Sequence, residues 1–231
     1  MNTVKGLLFD FNGTLFFDSK YHMEAFRRYF RSHGKPVPTD EFMVHNIFGR
    51  TNTQIVRENF NINATIKDIE EFSQEKEINY RKLCLEVPGG IQLVEGAEEM
   101  FDSLKEAGIP FCIATGSGGD NIEFYFEQFN LSRWFDIGKN IVFDDGTFKS
   151  KPAPDIYLIA AEKIGLSASE CAVFEDGTSG MISAMSANAG ALVAIYDSSL
   201  PDPITEDIHP DITVHSLANW KSILAKLGLN I

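Results

Sequence analysis

Five short, continuous apolar runs constrain this chain more than any other feature: Gly6 to Phe9, Pro110 to Ala114, Asn140 to Phe143, Cys171 to Phe174 and Gly190 to Ile195. They are rich in Val, Ile and Phe and lack polar alternation, which is the pattern of strands buried on both faces. Between the last four runs the sequence predicts helices over Asn121 to Phe129, Pro154 to Ile164 and Ser179 to Ala189. A further helix, Gly96 to Ala107, precedes the second run and stops at Gly108. Strands alternating with helices predict an α/β fold built on a parallel sheet.

Residues 17–87 break that alternation. Tyr21, Phe26, Tyr29 and Phe30 mark an amphipathic helix that ends near Gly34 and Pro36, and Thr39 is placed to cap the next. A third helix begins near Thr51, and Thr65 with Asp68 resembles a capping box for a fourth that runs toward Leu85. No strand pattern occurs in this segment, so it reads as an all-helical insertion, with residues 87–96 as the return to the sheet.

Charge then limits the partners. Twenty basic against thirty-three acidic residues give a net charge of -13, which argues against nucleic acid and against an anionic membrane surface. An anionic ligand must therefore be captured locally, by backbone amides, a lysine or a bound cation. Neither a membrane-length apolar run nor a secretion signal is visible, so a cytoplasmic protein is the expectation. Cys84, Cys112 and Cys171 are odd in number and widely spaced, as suits buried reduced thiols.

Four polar clusters follow predicted strands, the end at which open parallel sheets bind ligands. Asp10 leads Asn12, Gly13 and Thr14; a carboxylate there is either a turn former or a nucleophile, because Asp-x-Asn-Gly is also ordinary turn chemistry. Thr115, Gly116 and Ser117 open a helix, where hydroxyls and exposed amides either bind phosphate or make a common turn. Lys151 stands in a loop held by Pro152 and Pro154. Glu175 and Asp176 are adjacent carboxylates directly after a buried strand, and a divalent cation would relieve their repulsion.

In order and context these clusters resemble the haloacid dehalogenase-like (HAD) superfamily of phosphotransferases over essentially the whole chain. The position of the insertion is similar to that in β-phosphoglucomutases and small sugar-phosphate phosphatases. The resemblance implies a Rossmann-like doubly wound parallel sheet core, residues 1–16 and 88–231, with a helical cap, residues 17–87. It further implies a nucleophilic Asp10 that forms an aspartyl-phosphate. Magnesium would be held by Asp10, the backbone carbonyl of Asn12 and Asp176, with Glu175 beside it or behind it. Thr115 with the amides of Gly116 and Ser117, together with Lys151, would hold the non-reacting phosphoryl oxygens.

One position departs from the family pattern. Where the family normally has a second aspartate that protonates the leaving oxygen and then activates water, this chain has Asn12. An amide exchanges no proton at neutral pH, so a contribution of about 10²- to 10⁴-fold should be absent or supplied elsewhere. His22 reads either as a replacement proton donor or as a hinge histidine that bonds to its own loop. In the mutases a cap arginine lies three residues after a glycine; here that position is Asn52, while Arg50 directly follows Gly49 as a substrate contact or a structural ion pair. The expected function is a magnesium-dependent phosphatase of a small phosphorylated metabolite, a sugar phosphate being the expected class. The alternatives are a β-phosphoglucomutase-like phosphotransferase and a catalytically weak phosphometabolite-binding protein.

Overall fold

The computed structural model describes residues 3–47 and 52–231. The chain divides into two compact units, Met1–Phe17 with Gln92–Ile231, and Asp18–Ile91. The first unit is built on a six-stranded parallel sheet of order β3-β2-β1-β4-β5-β6. Its strands are β1 (Gly6–Phe9), β2 (Phe111–Thr115), β3 (Ile141–Phe143), β4 (Cys171–Glu175), β5 (Ala191–Ile195) and β6 (Ile212–Val214). Leu8 sits between Cys112 of β2 and Val173 of β4. The chain moves outward in one direction through β2 and β3, then returns to β1's other side for β4 to β6. That reversal opens a crevice at the carboxyl ends of β1 and β4, where doubly wound sheets bind ligands.

Among the described residues the second unit holds four helices: α1 (Ser19–Ser32), α2 (Asp40–Asn46), α3 (Asn52–Asn59) and α4 (Ile66–Leu85). Their apolar faces meet in a core that includes Phe26, Phe30, Met43, Ile55, Ile69 and Phe72. Both predicted caps form. Thr39 Oγ1 accepts from the Phe42 amide at 3.2 Å. Thr65 Oγ1 accepts from the Asp68 amide at 3.2 Å while Asp68 accepts from the Thr65 amide at 2.8 Å, so two amides with no helical partner are satisfied reciprocally.

Helices α5 (Ala97–Ala107), α6 (Gly119–Gln128), α7 (Asp155–Lys163), α8 (Thr178–Ser186) and α9 (Trp220–Lys226) flank the sheet strands in sequence. Alternate residues of the strands serve two faces. Leu8, Cys112, Ala114, Val173 and Leu192 join Tyr157 and Ala160 of α7 and Met181 and Ala184 of α8 in one fully buried core. Toward the other face, Phe9 packs edge-on against Phe101 of α5 with centroids 5.4 Å apart, and Phe101 stacks on Phe111 at 5.6 Å. Burying each such ring contributes about 1.5–3 kcal/mol. This two-sided burial is why the strands read as unbroken apolar runs. The three cysteines are free and buried. Among the described residues no helix is long and apolar enough to cross a membrane.

Two elements escaped the sequence reading. β6 is a three-residue edge strand with Thr213 exposed, so it carries too little apolar signal to stand out. α9 is a seven-residue helix near the end of the chain.

Candidate active site

The loop after β1 is a tight turn. Asp10 donates its amide to the Phe174 carbonyl at 3.0 Å, extending the β1–β4 pairing by one residue, and the Phe11 carbonyl then accepts from the amides of Thr14, Leu15 and Phe16. This fixes the buried Asp10 carboxyl at the strand end. Gly13 has φ of +80°, and a Cβ there would fall 2.0 Å from Asp176 Oδ2. Only glycine permits both that backbone and that approach. Thr14 Oγ1 donates to Asp176 Oδ1 at 3.3 Å, which ties the loop after β1 to the loop after β4.

Glu175, the last residue of β4, is buried, and four donors converge on its carboxylate. Lys151 Nζ at 2.5 Å and Tyr157 Oη at 2.7 Å donate to Oε1; the amides of Asp176 at 2.9 Å and Gly177 at 3.1 Å donate to Oε2. A carboxylate has about four acceptor positions, so Glu175 is filled by the protein itself. Lys151 also donates to Asp10 Oδ1 at 2.6 Å and to the Ala114 carbonyl at 3.4 Å, and its ammonium stands 5.2 Å from the centre of the Tyr157 ring. Burial works to lower the Lys151 pKa, but Asp10 and Glu175 outweigh it and hold the ammonium above its ordinary range. Burial, then the charges of Glu175 and Asp10, push the Tyr157 hydroxyl well above its usual value, so it stays a protonated donor.

The third strand end completes the site. Thr115, buried at the end of β2, accepts the Ser117 amide at 3.2 Å and donates to Asn12 Oδ1 at 3.5 Å. Ser117 Oγ donates to the same Asn12 oxygen at 2.7 Å. Asn12 Nδ2 in turn donates to Tyr125 Oη at 2.7 Å. Tyr125 is a fully buried residue of α6 whose ring stacks on Phe11 at 4.4 Å.

The structure thus gathers Asp10, Asn12, Thr115, Ser117, Lys151, Glu175 and Asp176 through direct contacts, with Gly116 in the same loop as Thr115 and Ser117. His22 and Asn52 belong to the second unit. There His22 Nε2 lies 3.2 Å from the buried Asp18 carboxylate, and its ring stacks on Tyr80 at 4.0 Å, while Tyr80 donates to Asp18 at 2.6 Å. Asn52 opens α3. Arg50 lies outside the described residues.

Ligand oxygens of Asp10, Glu175 and Asp176 lie within 4.8 Å of one another. Lys151 pairs with two of these carboxylates, Asp10 and Glu175, and the donor set is entirely hard oxygen. Such a set fits magnesium and has nothing to offer a metal that seeks thiolate.

Three residues that shape this site were missed from sequence. Tyr157 and Tyr125 look like ordinary apolar positions of their helices. Gly180 lies inside α8, where a Cβ would fall 1.7 Å from Glu175 Oε1, so the helix approaches the buried carboxylate only because this residue has no side chain. The available signal was its position: a glycine inside a helix costs about 1 kcal/mol relative to alanine and calls for a packing reason.

A family model described as haloacid dehalogenase-like hydrolase matches residues 4–188. A phosphorylated carbohydrates phosphatase of Thermotoga maritima is 27% identical over 199 residues, spanning 84% of this chain and 87% of its own length. Fructose-1-phosphate phosphatase of Escherichia coli is 26% identical over 187 residues, spanning 81% and 94%. The crystal structure of a HAD hydrolase, family IA, variant 3, from Entamoeba histolytica matches with a TM-score of 0.86 at 38% identity, over 97% of this chain and 98% of that one.

Proposed function

We propose that this chain, which belongs to the haloacid dehalogenase-like hydrolase family and is a phosphatase, uses Asp10 to take the phosphoryl group from a small phosphorylated metabolite. The observation that carries this reading is the convergence of Asp10, Lys151, Glu175 and Asp176 at the crevice between β1 and β4. Relatives named for carbohydrate phosphates make sugar phosphates the first compounds to assay.

In this reading an Asp10 carboxylate oxygen attacks phosphorus, the bond to the leaving oxygen breaks, and an aspartyl-phosphate results. Lys151 orients Asp10 and offsets charge on the phosphoryl oxygens; Thr115 and the amides after it cradle those oxygens on the side facing α6. Asp10, Asp176 and the Asn12 backbone carbonyl would hold magnesium, which supplies charge neutralisation at the phosphoryl group when bound. Glu175, already filled by four donors, acts by holding Lys151 in place. The helical unit, residues 18–91, serves in this reading as the cap that selects the substrate.

Asp10→Asn is the direct test. Phosphate release from a panel of sugar phosphates and p-nitrophenyl phosphate in magnesium is expected to vanish in the variant, and acid quenching of the native protein is expected to trap phosphate on Asp10. Metal-dependent turnover retained by the variant would overturn the assignment of the nucleophile.

A further inference from the structure

When an alcohol departs from phosphorus it leaves as an alkoxide, and fast cleavage requires a proton to reach that oxygen as the bond breaks. Among the described residues of the first unit, the side-chain donors around Asp10 and Asn12 are committed to neighbouring acceptors. Asn12 is an amide, locked on both sides: its nitrogen donates to Tyr125 Oη and its oxygen accepts from Ser117. Lys151 directs its donors to Asp10, Glu175 and the Ala114 carbonyl. Tyr157 donates to Glu175, and Thr14 donates to Asp176. The first unit is therefore arranged to bind and attack a phosphoryl group, and at the place of the usual carboxylic acid it has a neutral amide in a neutral hydrogen-bond network.

We propose that this site favours phosphoryl groups carried on acidic oxygens, namely acyl phosphates and phosphoanhydrides, over phosphate esters of ordinary alcohols. The inference rests on the phosphatase reading and ranks its substrates. An oxygen whose conjugate acid has a pKa below about 7 leaves as a stable anion and needs no proton from the protein. In the first step the Asp10 oxygen bonds to phosphorus, the bond to the leaving oxygen breaks, and its electron pair departs with the carboxylate or phosphate anion. In the second, water attacks the phosphorus of the aspartyl-phosphate; the Asp10 carboxylate is released and both water protons remain on the inorganic phosphate. Neither step needs Asn12 to give or take a proton.

The test compares kcat/KM for acetyl phosphate, p-nitrophenyl phosphate, glycerol phosphate and glucose 6-phosphate in magnesium, each corrected for the rate without protein, in the native chain and in Asn12→Asp. A carboxylate at this position still accepts the Ser117 hydroxyl, and the Tyr125 hydroxyl, which accepts from Asn12 Nδ2 in the native chain, can turn to donate to it; circular dichroism and the thermal midpoint verify that the variant folds. The native chain should favour acetyl phosphate over the two alkyl phosphates, and Asn12→Asp should raise the ratio of glucose 6-phosphate to acetyl phosphate by about 10²- to 10⁴-fold. If the native chain turns over the alkyl phosphates as readily as acetyl phosphate, or if Asn12→Asp moves all four compounds alike, the inference is overturned while the phosphatase reading stands. Release from none of the four by the folded native chain overturns both.

Discussion

The two sides of the Asp10 loop are built from opposite materials. Toward β4, Lys151 joins the buried carboxylates of Asp10 and Glu175 through short charge-assisted hydrogen bonds, with Asp176 beside them. Toward α6, two residues along the same turn, Asn12 meets Tyr125, Ser117 and Thr115, and every group is neutral. Charge in a buried site is costly unless paired, so its concentration on one side marks where negative charge must be gripped. The neutral side holds geometry and moves no proton. Removing a group from the charged side should therefore cost far more than removing one from the neutral side.

The largest effect expected is on activity, in Asp10→Asn: kcat/KM on p-nitrophenyl phosphate should fall by more than about 10⁴-fold, as the loss of a covalent nucleophile does. Next comes Lys151→Met, which strands Asp10 and Glu175 without their cation. Breaking a buried pair by removing one partner costs about 3–5 kcal/mol, readable in urea unfolding at neutral pH. The pH dependence has a definite sign. A lysine in the unfolded chain titrates at about 10.4, and Lys151 in the folded chain titrates higher. Its stabilisation is therefore complete below about pH 10 and lost as pH rises through the folded value, so the gap between native and Lys151→Met should hold through neutral pH and narrow in strong alkali. A gap that stayed unchanged into strong alkali would detach the effect from the Lys151 charge.

Gly180→Ala sharpens the comparison from a distance, because the atoms nearest the added methyl all belong to the Glu175 carboxylate. The carboxylate or α8 must shift, at about 1–3 kcal/mol, and Lys151 loses its fixed anchor. Thermal unfolding and kcat/KM should both fall, by less than in Lys151→Met. Unchanged activity would show that Lys151 keeps its position without Glu175.

The residues of the site differ in how legible they are in the amino-acid sequence, and the reason is physical. Strands β1 to β5 are buried on both faces, so their apolar runs are continuous, and the clusters at Asp10, Thr115, Lys151 and Glu175–Asp176 stand out as polar residues at or following those runs. A polar group after an apolar strand is a local signal. Tyr157 is different: it sits on the buried face of α7, and only the approach of β4 turns its hydroxyl into a donor to Glu175, 18 residues away. Tyr125 meets Asn12 across 113 residues, a relation no local pattern carries. Gly180 is legible as an oddity within α8 but its cause is a neighbour from another element. Single positions show what chemistry is present; the pairing that orients it belongs to the packing of helices on the sheet.

Tyr125→Phe is the smallest change and the strictest test of the neutral side. It removes one oxygen from a fully buried ring and leaves the stacking on Phe11 intact. Asn12 loses one neutral hydrogen-bond partner but keeps the Ser117 bond, so the expected cost is about 1 kcal/mol in urea unfolding. Its effect on kcat/KM should be similar for acetyl phosphate and glucose 6-phosphate, because a group that only orients the amide acts equally on both. A loss confined to glucose 6-phosphate would mean that the Tyr125 hydroxyl delivers a proton toward the leaving oxygen. The neutral side would then be a working acid, and the contrast between the two sides of the loop would collapse.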